Sequence, residues 1–343
     1  MAESLAIKYR PKTWEDVTEQ RTVVEILKNQ IETNELQHAY LFCGGAGTGK
    51  TTCARIFAND INKGHGNPVE LDAASHNSVD DVRIISQQAK TQSLDSEYRV
   101  YILDEVHALS NNAWQAMLKL LEEPPAKSIF IMCTTERNKI PKTILSRVQQ
   151  FNFTRISQDG ITKRLRHIID EEKEINESID WYGEALEYIA KIADGGMRDA
   201  ITMLDKCLAY SDNLTLENVV NAIGATDYET MFRLSTALFE QNSQKMFEVI
   251  DGIHSSGKDL KLFINNYLAF VLDICKYNLC QSFNNIQIPS IYENELAGYK
   301  RYKQSADDLL HTVMRLSSDI KWDSKPKIMI ESVFYQYCLG GEY

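Results

Sequence analysis

An α/β P-loop domain on a parallel sheet, followed by an all-α lid and a second, larger all-α domain, is the fold the sequence predicts. Three observations predict it. Strand-like and helix-like stretches alternate up to about residue 157, the signature of a parallel sheet wrapped by helices. Within that half, Gly44-Gly45-Ala46-Gly47-Thr48-Gly49-Lys50-Thr51 follows an apolar run and precedes a helix-like one, the strand, glycine loop and helix order of a phosphate-binding loop. From Gln158 onward only amphipathic helical periodicity is found, and the strands vanish.

Ala39–Phe42, Val69–Asp72, Arg99–Asp104, Ser128–Thr134 and Gln149–Phe153 are the expected strands. Helices are expected to start near Lys50, Val79 and Asn111, the last stopped by Pro124-Pro125, because proline lacks the amide a helix interior needs. In the helical half, polar breaks stand at Ser211-Asp212-Asn213 and Ser255-Ser256-Gly257, long helices are expected over Asp259–Tyr277 and Tyr302–Ser318, and 284–289 reads as a loop. The expected division is a P-loop domain over 1–157, a three-helix lid over 158–220 and a helical domain over 221–343.

At 343 residues, 43% hydrophobic and 25% charged, the chain has an ordinary globular composition and is long enough for several packed units. No stretch approaches 18 uninterrupted apolar residues and the N-terminus lacks the pattern of a signal peptide, so the expectation is a cytoplasmic protein with no membrane partner. Seven scattered cysteines fit neither a disulfide framework nor a CxxC-type zinc site. Net charge is −11, but residues 1–157 carry 18 Lys/Arg against 19 Asp/Glu, so the acidity sits in the C-terminal half. Charge alone neither supports nor excludes DNA as a partner.

The chemistry is written around ATP and Mg²⁺. Gly45, Ala46, Gly47, Thr48 and Gly49 let successive backbone amides point into one anion-sized cradle, with Thr51 and Thr52 opening the following helix. Lys50 is placed to neutralise β/γ-phosphate charge and the Thr51 hydroxyl to ligate Mg²⁺. Val100–Glu105 is an apolar strand ending in two carboxylates: Asp104 to hold the metal, Glu105 to polarise the attacking water as general base. His107, close behind, reads as a packing or hydrogen-bonding residue rather than a catalytic one. Thr135, at the tip of the next strand, is placed to contact the γ-phosphate and the water. Arg147 is a candidate arginine finger for a neighbouring subunit, its alternative being a salt-bridging surface arginine. Gly195-Gly196-Met197-Arg198 opens a lid helix from which Arg198 could reach back over the phosphates.

Taken in order, YRPKTWEDV (9–17), GGAGTGKTT (44–52), ELDAAS (70–75), LDEVHALS (103–110), LKLLEEPP (118–125), TTERNKIP (134–141), ILSR (144–147) and GGMRDA (195–200) closely resemble the gamma/tau subunit of the bacterial DNA polymerase III clamp loader. Further similarity lies at 257–261 and 314–330, which look like its collar helices. The resemblance implies an AAA+ ATPase domain, a lid and a helical collar. It implies a hetero-oligomeric ring of five subunits, with delta-like and delta-prime-like partners, that uses ATP to open the sliding clamp and place it on primer–template DNA. It implies adenine contacts at Tyr9, Arg10, Pro11 and Val17, and action of Ser146-Arg147 in trans.

Two departures stand out. The family's four-cysteine zinc module is replaced by a short cysteine-free interval, 59–69, so no zinc site is expected, and its Ser-Arg-Cys reads Ser146-Arg147-Val148. The chain ends at Tyr343 without the long extension of tau forms, and the expectation is a gamma-type subunit, from a phage or a divergent bacterium, or an excised piece. The alternatives are another AAA+ nucleic-acid machine, such as a branch-migration motor or helicase loader, and a non-hydrolysing scaffold subunit of a clamp loader. A winged-helix third domain would favour the former, and an incomplete P-loop or Asp-Glu pair the latter.

Overall fold

The computed structural model describes residues 3–91, 95–223, 228–283 and 285–340; Asn284, the first residue of the expected loop, lies outside them. They form two compact units, Met1–Asn213 and Leu214–Tyr343.

Five parallel strands organise the first unit: β1 (Ala39–Gly44), β2 (Val69–Asp72), β3 (Arg99–Asp104), β4 (Ser128–Thr134) and β5 (Gln149–Phe153), in the order β2-β3-β4-β1-β5. β4 is buried along its whole length and β1 over all but its last residue, because helices cover both faces of the sheet. Period-two alternation divides the side chains between two cores. Tyr40, Phe42, Ile102, Ile129 and Ile131 pack with Leu27 and Phe57, which come from helices α2 (Arg21–Thr33) and α3 (Lys50–Ile61), the short α1 (Leu5–Lys8) preceding both. On the other face Leu41, Tyr101, Leu103, Phe130 and Met132 pack with Val82 of α4 (Val79–Ala89) and with Trp114 and Met117 of α5 (Asn111–Glu122). Local chemistry starts the helices. Ser78 and Asp81 form a reciprocal capping box for α4, and Ser110 accepts from the Ala113 amide at the start of α5.

This strand order positions the site. β4 lies between β1 and β3, so the carboxyl ends of all three, at Gly44, Asp104 and Thr134, reach one edge of the sheet, where ligands of open α/β sheets bind. After α6 (Lys142–Leu145) and β5, the helices α7 (Gln158–Ile175), α8 (Gly183–Ile192) and α9 (Met197–Tyr210) complete the unit. The expectation that strands vanish beyond residue 157 needs correcting: Asp180–Trp181 and Asn213–Leu214 are two-residue strands. They flank or include the buried Ile179 and Leu214 and are too short to carry a period in the sequence.

The second unit contains α10 (Leu216–Ile223), α11 (Tyr228–Phe239), α12 (Ser243–Ser255), α13 (Leu260–Cys280), α14 (Glu293–Gly298), α15 (Lys303–Asp319) and α16 (Pro326–Cys338). Its core is aromatic. Tyr267, wholly buried, satisfies its hydroxyl with Ser235 at 2.8 Å while its ring stacks with Phe263 and meets Phe334 edge-on. The buried Asp273 accepts from the amides of Gln287 and Ile288, which fixes the chain beyond α13 to that helix. Burial pushes this carboxyl above its ordinary range, against the two amides and Lys276, which act in the opposite direction.

Candidate active site

Gly47 and Gly49 take the left-handed conformations, φ +69° and +98°, that let the loop between β1 and α3 curl back on itself. The buried Lys50 donates from Nζ to the carbonyl oxygens of Gly44 at 2.9 Å and Gly45 at 2.7 Å. Burial lowers the pKa of its ammonium, so an anion beside it would be strongly favoured. Thr48 donates from its hydroxyl to Gly45 O at 2.9 Å and braces the loop from within. At the start of α3 the Thr51 hydroxyl donates to Asp104 Oδ2 at 2.8 Å, bringing a P-loop oxygen and a β3 oxygen together across the sheet edge.

A cavity of about 270 Å³ opens over this loop. Thr52 and the expected adenine residues Tyr9, Arg10, Pro11 and Val17 all line it, as does Arg198. The lid reaches the loop through backbone. Gly47 O accepts from the Met197 amide at 3.0 Å, and a Cβ on Gly47 would stand only 3.0 Å from the Gly196 Cα. Ala46 O approaches Gly196 in the same way, 3.4 Å from where its Cβ would be. These contacts set the amino end of α9, with Arg198, beside the phosphate loop. Arg10 is pulled below its usual pKa by burial and then by the neighbouring cations Arg55 and Arg198, so the cavity gathers positive charge suited to a polyphosphate.

Several residues of the cavity were not anticipated. Arg164, on α7, lines it and donates to Tyr9 O at 3.0 Å, and Ile7, Ile156, Ile201 and Thr202 are among its other walls. The Tyr9 hydroxyl donates to Glu172 Oε1 at 2.7 Å, which Lys8 also contacts at 2.6 Å. The N-terminal segment is thus strapped to α7. The signal for this was present, a Tyr-Arg-Pro start and a charged helix, but the partners are over 150 residues apart.

At the ends of β3 and β4, Glu105 adopts a left-handed backbone, φ +47°, uncommon for a residue with a side chain. Its Oε2 accepts from the Thr135 hydroxyl at 3.0 Å and lies 3.2 Å from His107 Nδ1. Glu105 and Thr135, singled out separately in the sequence, therefore belong to one cluster. Arg147 lies apart from it. Its guanidinium pairs with Glu122 Oε1 at 2.9 Å and donates to Thr143 O at 2.8 Å, and it does not line the cavity of its own chain.

Models of three families match the chain between residues 19 and 311: "DNA polymerase III, delta subunit" over 19–75 and 69–157, "DNA polymerase III clamp loader subunit, ATPase lid domain" over 160–213, and "DNA polymerase III subunits gamma and tau domain III" over 214–311. The chain is 33% identical to DNA polymerase III subunit tau of Bacillus subtilis, over 96% of this chain and 62% of that protein. It is 32% identical to subunit gamma of Buchnera aphidicola from Schizaphis graminum, over 79% of this chain and 78% of that protein. Against subunit tau of Escherichia coli the identity is 32% over 80% of this chain, which spans only 45% of that relative's length. Among solved structures, the RuvB Holliday junction branch migration motor of Thermotoga maritima superposes with a TM-score of 0.51 at 19% identity, over 67% of this chain and 79% of that one, a likeness of fold.

Proposed function

The chain belongs to the gamma/tau family of DNA polymerase III clamp loader subunits, and we propose that it is an ATP-driven motor subunit that opens a sliding clamp and places it on primer–template DNA. The observation that carries this reading is the meeting of Thr51 Oγ1 and Asp104 Oδ2 at 2.8 Å on the edge of a lid-bounded cavity, with Glu105 beside them. Two hard oxygen donors so close suit Mg²⁺, which when bound would neutralise developing charge on the β- and γ-phosphates. Lys50 and the loop amides bind and orient the phosphates. The segment holding Tyr9, Arg10, Pro11 and Val17 takes the base, Arg198 closes over the phosphates from the lid, and Glu105 receives the proton of the attacking water. Thr135 fixes that carboxylate.

The ATPase domain, in this reading, covers 1–157, the lid follows over 158–220, and the remaining helices to 343 form the collar. The collar builds a five-membered ring with delta-like and delta-prime-like subunits. DNA would be held through its phosphates, without regard to sequence. Among the described residues no helix is long and apolar enough to cross a membrane.

Lys50→Ala is expected to abolish ATP binding while leaving the thermal transition of the chain in place; an unchanged nucleotide affinity by calorimetry would remove the phosphate-loop assignment. The ring is tested by native mass spectrometry of the tagged chain recovered from its host with ATP present. A five-subunit assembly carrying smaller AAA+ partners and the clamp is expected. A homohexamer would point instead to a translocating motor of the RuvB kind.

A further inference from the structure

His107 sits in the one-turn helix Val106–Ala108 that follows Glu105, with its side chain 17% exposed. Its two ring nitrogens face different partners. Nδ1 lies 3.1 Å from Thr134 Oγ1 and 3.2 Å from Glu105 Oε2, whereas Nε2 lies 3.3 Å from Glu136 Oε1. An ionised carboxylate only accepts, so each of these approaches to a carboxylate is attractive when the nitrogen concerned carries a proton. The outer partners are themselves anchored. The Glu136 amide donates to Thr134 Oγ1 at 3.0 Å, the Glu136 carboxylate pairs with Lys139 at 2.8 Å, and Thr134 is wholly buried at the end of β4. The imidazole therefore spans from the loop after β3 to the loop after β4, braced on the second and reaching the first.

The consequence for Glu105 is geometric. Its Oε2 accepts from Thr135, through the hydroxyl at 3.0 Å and the amide at 3.4 Å, and His107 Nδ1 lies 3.2 Å from the same oxygen. With the imidazole seated against Oε2, rotation of the carboxylate about its last bond is blocked, which leaves Oε1 as the oxygen to take a proton. We propose that His107 is a positioning residue for Glu105: hydrogen-bonded to Thr134 Oγ1, it seats its Nδ1 edge against Oε2 and determines which carboxylate oxygen receives the proton of the attacking water. This rests on the reading of Glu105 as the general base of ATP hydrolysis.

The test uses the full chain in its native assembly, with three substitutions chosen for where they place a donor. Asparagine offers an amide near the former Nδ1 position, glutamine offers one near Nε2, and alanine offers neither. H107A is expected to lower kcat by about 10- to 100-fold, the size of loss that misplacing a reacting group produces, with KM and ATP affinity unchanged. H107N should recover most of the turnover and H107Q should not. ATP affinity and the thermal midpoint, measured for each variant, separate loss of aim from loss of fold. Should the alanine variant fail to fold, the asparagine and glutamine pair still decides the matter. Unchanged or raised kcat in H107A, or recovery by glutamine equal to that by asparagine, would overturn the proposal. E105Q measured alongside separates the two layers. Free turnover by E105Q removes the base reading and this inference with it, whereas a stalled E105Q beside a fully active H107A removes the inference alone.

Discussion

Arg147→Ala is expected to leave ATP binding by the isolated chain untouched and to cut hydrolysis in the assembled ring by about 10³–10⁵-fold, the range over which arginine fingers act. The basis is where the guanidinium lies. It is absent from the walls of its own chain's cavity, and it is held half-exposed by Glu122 at 2.9 Å and by Thr143 O. Exposed ion pairs contribute only about 0–1 kcal/mol, so a neighbour's γ-phosphate can draw Arg147 from Glu122 at little cost. Thr143 O and the Ser146 hydroxyl, at 3.2 Å, keep the side chain near α6 meanwhile. The measurement is steady-state phosphate release by the complete ring, with nucleotide affinity of the separate chain as control. Full activity of the variant ring would place the finger on another residue; weaker binding by the isolated chain would assign Arg147 to its own site.

Glu105→Gln should bind ATP like the parent and slow turnover by about 10²–10⁴-fold, the usual contribution of a general base. Glutamine keeps the shape and still offers an oxygen to the Thr135 hydroxyl, now 3.0 Å from Oε2, but it cannot take a proton at pH 7. Because binding and hydrolysis come apart, the variant should open the clamp and then fail to release it. Clamp release followed in real time after DNA is added reads this directly. Rapid turnover by the variant would remove Glu105 as base.

The centre of the sheet was readable because β1, β3 and β4 are buried on both faces. Val69–Asp72, Arg99–Asp104, Ser128–Thr134 and Gln149–Phe153 coincide with the expected runs, and β1 extends past its run to Gly44. Their order was not readable, since nothing local in Ser128–Thr134 announces that this strand slips between β1 and β3. The same divide runs through the site. Lys50, Thr51, Asp104 and Glu105 stand in contiguous motifs whose spacing carries their chemistry. Arg164 and the hydroxyl partner of Tyr9 depend on contacts between an N-terminal strap and α7, which no short window contains. His107 falls between these cases: visible beside Glu105 in the chain, it acquires a second carboxylate, Glu136, only once β3 and β4 are paired neighbours.

The Met197 amide stands at the first position of α9, where an N–H has no acceptor within its own helix, and it donates to Gly47 O at 3.0 Å. Its shelter from solvent deuterium therefore depends on the phosphate loop. Every excursion of the lid away from that loop exposes this proton, so its exchange rate is a clock for lid opening, already wired to the nucleotide and needing no label.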